Sequence, residues 1–418
     1  MKTKTLKVGM LSLGCPRNLV DSENILGRLS MKNFSIVDLD KADTVIVNTC
    51  AFIEEARQES VDAILDLAQL KKSGKLKRII VHGCLAQRYK DLLRKELPEV
   101  DAFVGRVSMN HTLSRYPIAP AHYSYLKICE SCINNCSYCV IPKIKGKFES
   151  LEADTILRQV KAFEARGVAE LDIIGQDISG YGSDLEGNHG LVKLISEIVS
   201  QTKRVKWIRL LYLYPTRISD ELLELVNSEP RICKYIDLPF QHINSRILKL
   251  MNRDTSREDI LSVIKRTRSR APGAAIRTSL IVGFPSETDD EFKELLDFVR
   301  VAKFERLGAF IYSREEGTKA YDLKGQISRR VKEERFDQVM AVQQEISRSL
   351  NDKLLGKTID VMIDEARDGR YLGRTQHDAP EVDGQVYVSS ARRLRPGEII
   401  KLKVTDTMEY DLVGEAKR

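Results

Sequence analysis

Three cysteines stand close together in one short segment, Cys132, Cys136 and Cys139, with the spacing Cys-x3-Cys-x2-Cys. Thiolates hold iron-sulfur clusters, and a cubic cluster normally takes four of them, so three leave one iron with an open coordination position. S-adenosylmethionine can chelate such an iron through its amino and carboxylate groups. Its sulfonium then lies within reach of one electron, and cleavage yields a 5'-deoxyadenosyl radical. Cys129 could add a fourth thiolate, Cys-x2-Cys-x3-Cys-x2-Cys, which keeps a zinc knuckle open as the alternative. Cys129 reads more readily as a buried thiol at a strand end.

A second group is spread out along the chain. Cys15, Cys50 and Cys84 each close an apolar run: VGMLSLGC, TVIVNTC and RIIVHGC. Any one of them could be a core residue, since free cysteine is commonly buried. Three at matching positions point instead to a second cluster, again with one iron that lacks a protein ligand and could carry an exogenous sulfur. Cys233, alone in RICKY, reads as structural. Eight cysteines in a long chain without an export signal suit reduced ligands and core residues better than a disulfide framework.

The elements that must position these thiols follow from hydrophobic periodicity. The three apolar runs read as buried strands. Between them, DSENILGRLS and EEARQESVDAILDLAQL have helical spacing and acidic residues in their first turns. Crossover helices make such strands parallel, so cysteines about 35 residues apart meet at one sheet edge. This parallel α/β unit spans 1–108, and a linker with Pro117 and Pro120 spans 109–124. From 125 to 349, strand-like runs recur at YLKIC, ELDIIGQD, WIRLLYLYP, YIDLPFQH, AIRTSLIVGFP and ERLGAFIYS. Amphipathic stretches separate them, which predicts a partial (β/α)6 barrel of TIM type with functional residues at strand carboxyl ends. A charged helix around Arg330 to Leu350 leads into 350–418, where TIDVMIDE, RYLGRT, QVYVSS and EIIKLKVTDT predict a small antiparallel β-barrel.

Composition agrees with this multidomain α/β reading. A chain of 418 residues exceeds what one core usually holds, and a hydrophobic fraction of 42% with 30% charged residues excludes a disordered chain. No apolar run reaches the roughly 18 to 20 residues of a membrane span, so the expected setting is cytoplasmic with no membrane partner. The net charge of +7 is spread along the chain and reads as solvated surface, with nucleic-acid contact as the alternative.

Taken together, these residues resemble the methylthiotransferase family of radical S-adenosylmethionine enzymes over essentially the whole length. The motif LGCPRNLVDSE, Leu13 to Glu23, is similar to the subgroup that modifies an aspartate of ribosomal protein S12; the tRNA-modifying subgroup usually has Gln-Met-Asn after the first cysteine. NTCAFIEEARQES, GAFIYSREEGT, DAPEVDG and EYDLVGE point the same way. The resemblance implies an amino-terminal cluster domain, a radical barrel and a TRAM domain, with two 4Fe-4S clusters and S-adenosylmethionine as cofactors. Implied partners are ribosomal protein S12, free or on the small subunit, an electron donor and a sulfur donor. The implied reaction has two stages: one S-adenosylmethionine methylates sulfur at the auxiliary cluster, and another generates the radical that removes a β-hydrogen from the aspartate. An aliphatic C–H bond is too weakly acidic for an ordinary side-chain base, so radical abstraction is the physical route. A tRNA methylthiotransferase, and a non-catalytic zinc or iron-sulfur scaffold that binds ribosomes, are the competing readings.

Cofactor contacts are expected at strand ends: Gln176 and Asp177 to the methionine moiety or ribose, and Tyr138 beside adenine. Gly283 in IVGFPSET would let the backbone approach adenine, although a tight turn capped by Ser286 explains the same residues. Arg277 joins the cofactor set and His242 the substrate set, each weighed against a satisfied core polar residue. Asp378, Glu381 and Asp383 form an acidic loop suited to a basic ribosomal protein. The last unit has 13 acidic and 12 basic residues, so it lacks the basic excess of a dedicated RNA binder. Two departures from the family stand out: Ser131 where glycine is usual, and Glu149-Ser150-Leu151 in place of Arg-Ser-Arg near the barrel entrance.

Overall fold

The structure is a computed structural model and describes residues 6–32, 34–106, 115–187 and 190–417. The first unit runs β1 (Lys7–Ser12), α1 (Pro16–Ser30), β2 (Ser35–Ile36), β3 (Thr44–Thr49), α2 (Glu54–Lys72), β4 (Arg78–Gly83), α3 (Cys84–Glu96) and β5 (Ala102–Val104). Its strands are all parallel, in the order β2-β1-β3-β4-β5. The three cysteine-ending runs are therefore adjacent strands, with β3 central and buried along its whole length. β2 and β5 span too few residues to show a period, and the sequence reading passed over them. α1 starts earlier than expected, with Pro16 at the position where its missing N–H costs nothing. No acidic residue then lies in its first turn. Asp21 and Glu23 instead pair across to Lys127, Lys145 and Arg115.

The second unit opens with β6 (Tyr123–Lys127), β7 (Cys129–Glu130), α4 (Ile141–Lys145), β8 (Glu149–Ser150), α5 (Ala153–Ala165), β9 (Glu170–Ile174), α6 (Leu191–Gln201) and β10 (Trp207–Leu210). It continues through α7 (Asp220–Ser228), β11 (Tyr235–Asp237), α8 (Ser245–Leu250), α9 (Arg257–Arg270), β12 (Ala275–Val282), α10 (Asp289–Ala302), β13 (Arg306–Ile311) and α11 (Arg329–Asp352). Six parallel strands form two halves, β10-β9-β6 and β11-β12-β13, joined through the Ile208–Ile232 bridge. This is the expected partial barrel, and its core lies between strands and outer helices. There Phe240, Phe298 and Phe304 meet at edge-on and tilted angles. Of the expected linker 109–124, residues 115–122 form no helix or strand. β6 begins at Tyr123, and Arg115, Ile118 and Ala119 are fastened to the Glu23 carboxylate at 3.0, 3.0 and 3.2 Å. Residues 109–114 lie outside the described residues.

The last unit comprises β14 (Thr358–Arg367), β15 (Arg370–Arg374), β16 (Val386–Ser389), β17 (Ile399–Thr407) and β18 (Leu412–Ala416), closed as β14-β15-β16-β18-β17. Four seams are antiparallel and one, β16 with β18, is parallel. This barrel plugs the amino-terminal mouth of the larger one. Arg374 reaches Glu170, Arg209 donates to the Gln376 carbonyl at 2.7 Å, and Met362 and Ala379 join the core of Tyr123, Trp207 and Tyr235.

The plug corrects the expectation for the acidic loop. Asp378 is 2% exposed and paired with Arg306. Asp383 accepts from the Tyr235 hydroxyl at 2.6 Å, and Glu381 from that of Tyr123 at 2.8 Å. Asp378 and Asp383 neutralise cations on the barrel floor and are withdrawn from any docking surface, whereas Glu381 stays exposed. Arg277 is corrected by the same contact: its guanidinium lies 3.0 Å from Asp237 and 3.5 Å from Asp383, which leaves it no role at the cofactor end.

Candidate functional site

At the carboxyl edge of the first sheet, each cysteine loop is shaped by a residue beside it. Gly14 has φ +83°, and a Cβ there would stand 2.7 Å from the Cys50 Cβ and 3.0 Å from its Sγ. Gly83, at φ +102°, would collide with the Asn48 amide oxygen at 2.4 Å. Only glycine tolerates both the backbone and the contact, so these two Gly-Cys steps let the loops close on one another. Asn18 then ties the three together: its Nδ2 donates to the Leu13 and Thr49 carbonyls at 3.0 and 3.1 Å, and its Oδ1 faces the Cys84 thiol at 3.9 Å. Sequence reasoning missed Asn18, which shares the buried face of α1 with Val20, Ser22, Glu23 and Leu26.

Cys132, Cys136 and Cys139 lie in the loop between β7 and α4, at the carboxyl face of the barrel. Asn134 donates its backbone N–H and its Nδ2 to the Cys132 sulfur at 3.4 and 3.3 Å. The same side chain donates to Asp177 at 2.7 Å and accepts from Arg217 at 2.7 Å, while Arg217 pairs with Asp177. A cleft of about 670 Å³ opens beside this loop, lined by Asn134, Asn135, Tyr214, Arg217 and Arg253.

Burial pushes the bare thiols up: Cys132 to about 11, Cys84 and Cys139 to about 12, and Cys50 above its ordinary value. Cys15 feels burial too, but Arg17, the Asn18 backbone and Lys145 outweigh it and leave the thiol below its ordinary value. Buried thiols that share a site with amide donors suit a cationic cluster core, which takes the protons' place and is held by thiolates. A zinc knuckle would take Cys129 as its fourth thiolate. Cys129 is fully buried with its Sγ 3.6 Å from the Asp177 carbonyl. Cys233 is a core thiol against Trp207 and Tyr235.

The two thiol groups approach each other across the barrel mouth. Arg17 stacks 4.4 Å from the Tyr212 ring centroid and donates to the Gly175 carbonyl at 2.8 Å, and its charge acts on both Cys15 and Cys139. Beneath it, Lys127 and Lys145 bind Asp21 of α1 and Glu130 of β7 in one buried network. Opposite, Arg88 pairs with Glu315 and donates to the Ala51 and Glu316 carbonyls at 3.0 and 2.8 Å. The first unit is thus a roof over the barrel.

The expected cofactor residues separate. Gln176 keeps a buried amide oxygen without a partner while its Nε2 holds Glu130 at 3.3 Å, so it has an acceptor to offer. Asp177 is already engaged by Asn134, Ser179 and Arg217, and positions the cysteine loop. Tyr138 packs edge-on to Phe284 and receives Arg253 at 3.3 Å. Gly283 is not an open approach: the Lys332 stem fills its Cβ direction, and its N–H is taken by Glu287 at 2.9 Å. The turn reading holds there, although the helix cap is Thr288 with Glu291 and not Ser286. His242 is a core residue: it is 0% exposed, its Nδ1 accepts from the Asn244 N–H at 2.9 Å, and burial lowers it to about 3.

The two departures have local reasons. Ser131 sits at φ +61° and donates to the Gly146 carbonyl at 2.6 Å. Leu151 enters the barrel core and Ser150 pairs with Cys129 across β7 and β8, so only Glu149 of that segment faces solvent, near Arg106.

Comparison with known proteins agrees with this geometry. Residues 7–105 match the uncharacterized protein family UPF0004, 126–299 the radical SAM superfamily and 355–416 the TRAM domain. The chain is 47% identical to ribosomal protein uS12 methylthiotransferase RimO of Clostridioides difficile, covering 98% of each chain, and 45% identical to that of Geotalea uraniireducens at the same coverage. In fold it is similar to the radical S-adenosylmethionine methyltransferase TsrM from Kitasatospora setae, at TM-score 0.51 and 14% identity over 76% of this chain and 74% of that one. A cysteine-bearing parallel sheet roofing a radical SAM barrel, with a TRAM barrel beneath, is the build of a radical S-adenosylmethionine methylthiotransferase. That superfamily implies a 4Fe-4S cluster and S-adenosylmethionine. The chain belongs to the RimO family of methylthiotransferases.

Proposed function

We propose that this enzyme places a methylthio group on the β-carbon of an aspartate in ribosomal protein S12. In this reading Cys132, Cys136 and Cys139 hold one 4Fe-4S cluster, and Cys15, Cys50 and Cys84 hold a second. When bound, the first supplies the electron that cleaves S-adenosylmethionine to a 5'-deoxyadenosyl radical, and the second supplies the sulfur to be transferred. The observation that carries the reading is the 47% identity, over 98% of each chain, to a ribosomal protein uS12 methylthiotransferase, and Arg17 beside Cys15 reaching the Gly175 carbonyl at the end of a barrel strand fits it.

The chain's own residues do the positioning. Asn134, Asp177 and Arg217 clamp the Cys132 loop, and the unpartnered amide oxygen of Gln176 would accept from the amino group of bound S-adenosylmethionine. Tyr138 lines the adenine side. The roof held by Arg88 and Glu315 excludes water, and with it alternative hydrogen donors, from a radical. The labour divides as sulfur supply in 1–108, radical generation in 125–349 and floor closure in 350–418. An electron donor and a sulfur donor serve the two sites, in the cytoplasm where ribosomal proteins reside.

The test is mass spectrometry of S12 and of tRNA after incubation with anaerobically reconstituted enzyme, reductant and S-adenosylmethionine. One methylthio group on the S12 aspartate supports the reading; methylthio on a tRNA adenosine with S12 unchanged overturns it.

A further inference from the structure

Arg17 differs from the other enclosed arginines. Arg88, Arg209, Arg335 and Arg374 each hold a carboxylate. Arg253, without one, donates to the Tyr138 hydroxyl and the Pro239 carbonyl. Among the described residues Arg17 has no carboxylate partner and one oxygen acceptor, Gly175 at 2.8 Å, together with the thiol of Cys15. A guanidinium has five N–H donors in a flat fork, so donors remain to spare.

The guanidinium is held in place. One face of Arg17 lies on the Tyr212 ring at 4.4 Å. Tyr212 is itself fixed in a left-handed backbone conformation, φ +66°, which a non-glycine residue keeps only when its surroundings over-determine it. Here Asp237 accepts the Tyr212 N–H at 2.9 Å, the Tyr212 carbonyl accepts from Ile178 at 3.0 Å, and Arg277 secures Asp237. The carboxyl ends of the barrel strands thus brace a strained tyrosine, which braces a cation beside Cys15.

A permanently charged fork with donors to spare selects a carboxylate, which it binds by two parallel hydrogen bonds. Resting on the S12 reading above, we propose that Arg17 grips the side-chain carboxylate of the substrate aspartate. The carbon to be modified is bonded directly to that carboxylate, so an anchor there fixes the reacting carbon between the two thiol groups. Selectivity follows as well, because asparagine, neutral and with one acceptor oxygen, cannot take both bonds.

The methionine end of S-adenosylmethionine also carries a carboxylate, so the experiment separates the two sources. Full-length enzyme and its Arg17→Gln and Arg17→Lys variants are reconstituted to equal iron and sulfide content. Dissociation constants are then measured by fluorescence anisotropy for an S12 loop peptide with aspartate or asparagine at the target, and separately for S-adenosylmethionine without peptide. The unaltered enzyme is expected to prefer the aspartate peptide about tenfold or more, Arg17→Lys less, and Arg17→Gln hardly at all. An aspartate preference that survives in Arg17→Gln overturns the proposal. So does a loss of S-adenosylmethionine affinity as large as the loss for the peptide, which would assign the fork to the cofactor. If the unaltered enzyme binds neither peptide but methylthiolates tRNA, the S12 reading itself falls and the proposal with it.

Discussion

Arg88 and Glu315 form a buried ion pair 2.7 Å apart, the one from α3 of the roof and the other from the loop after β13. Their side chains are 8% and 3% exposed, so neither charge can return to water if the other is lost. Removing one partner of such a pair costs about 3–5 kcal/mol. Arg88→Ala is therefore expected to lower the thermal midpoint markedly and to raise uncoupled 5'-deoxyadenosine formation by admitting water. A double-mutant cycle with Glu315→Gln, read by calorimetry, checks it: the double variant should be less damaged than the sum of the singles.

Loss of one thiol should divide the chemistry by domain. Cys136→Ala is expected to abolish 5'-deoxyadenosine formation. Cys50→Ala should retain radical formation and lose methylthio transfer, with about half the iron and sulfide in each variant. Equal loss of both activities in Cys50→Ala, by chromatographic assay, would contradict two independent thiol sets.

Ser131 holds a conformation that costs a non-glycine residue roughly 1–2 kcal/mol. Its hydroxyl bond to Gly146 returns about 0.5–1.5 kcal/mol. Ser131→Ala keeps the strain and loses the bond, whereas Ser131→Gly loses both. The alanine variant should melt below the original and the glycine variant should melt close to it. The reverse order in thermal denaturation would show that the hydroxyl bond is not what offsets the strain.

His242 gives the stability a defined acid slope. Burial, with Arg335 and Arg246 adding to it and Glu291 opposing, lowers its folded value to about 3, against roughly 6.5 for an unfolded histidine. Between those values the unfolded chain binds a proton that the native protein refuses. The stabilisation present above about pH 6.5 is thus lost progressively as pH falls toward 3. His242→Gln should flatten that slope in urea titrations at pH 7 and pH 5; an unchanged difference between the two pH values would contradict it.

What could be read from the sequence was what repeats or clusters. Three apolar runs ending in cysteine gave adjacent parallel strands, because alternation of strand and crossover helix leaves little topological choice. The six barrel strands were legible for the same reason, and the Cys132 loop through its tight spacing. Contacts made by side chains distant in sequence were not. Asp378 and Asp383 look like a solvated acidic turn until Arg306 and Arg277 face them across a domain boundary. Gly283 looks open until the Lys332 stem fills the space beside it. Asn18 carries no motif of its own, and its value appears only when three loops converge on it.

The TRAM barrel closes where β18 slots between β16 and β17. That strand is the last of the five to leave the ribosome, whereas the chain folds from its amino-terminal side as it emerges. Until Leu412–Ala416 is translated, the segment bearing Asp378 and Asp383 has no finished barrel to brace it against Arg306 and Arg277. The cover over Arg306 and Arg277 thus belongs to a barrel whose closure depends on its last strand.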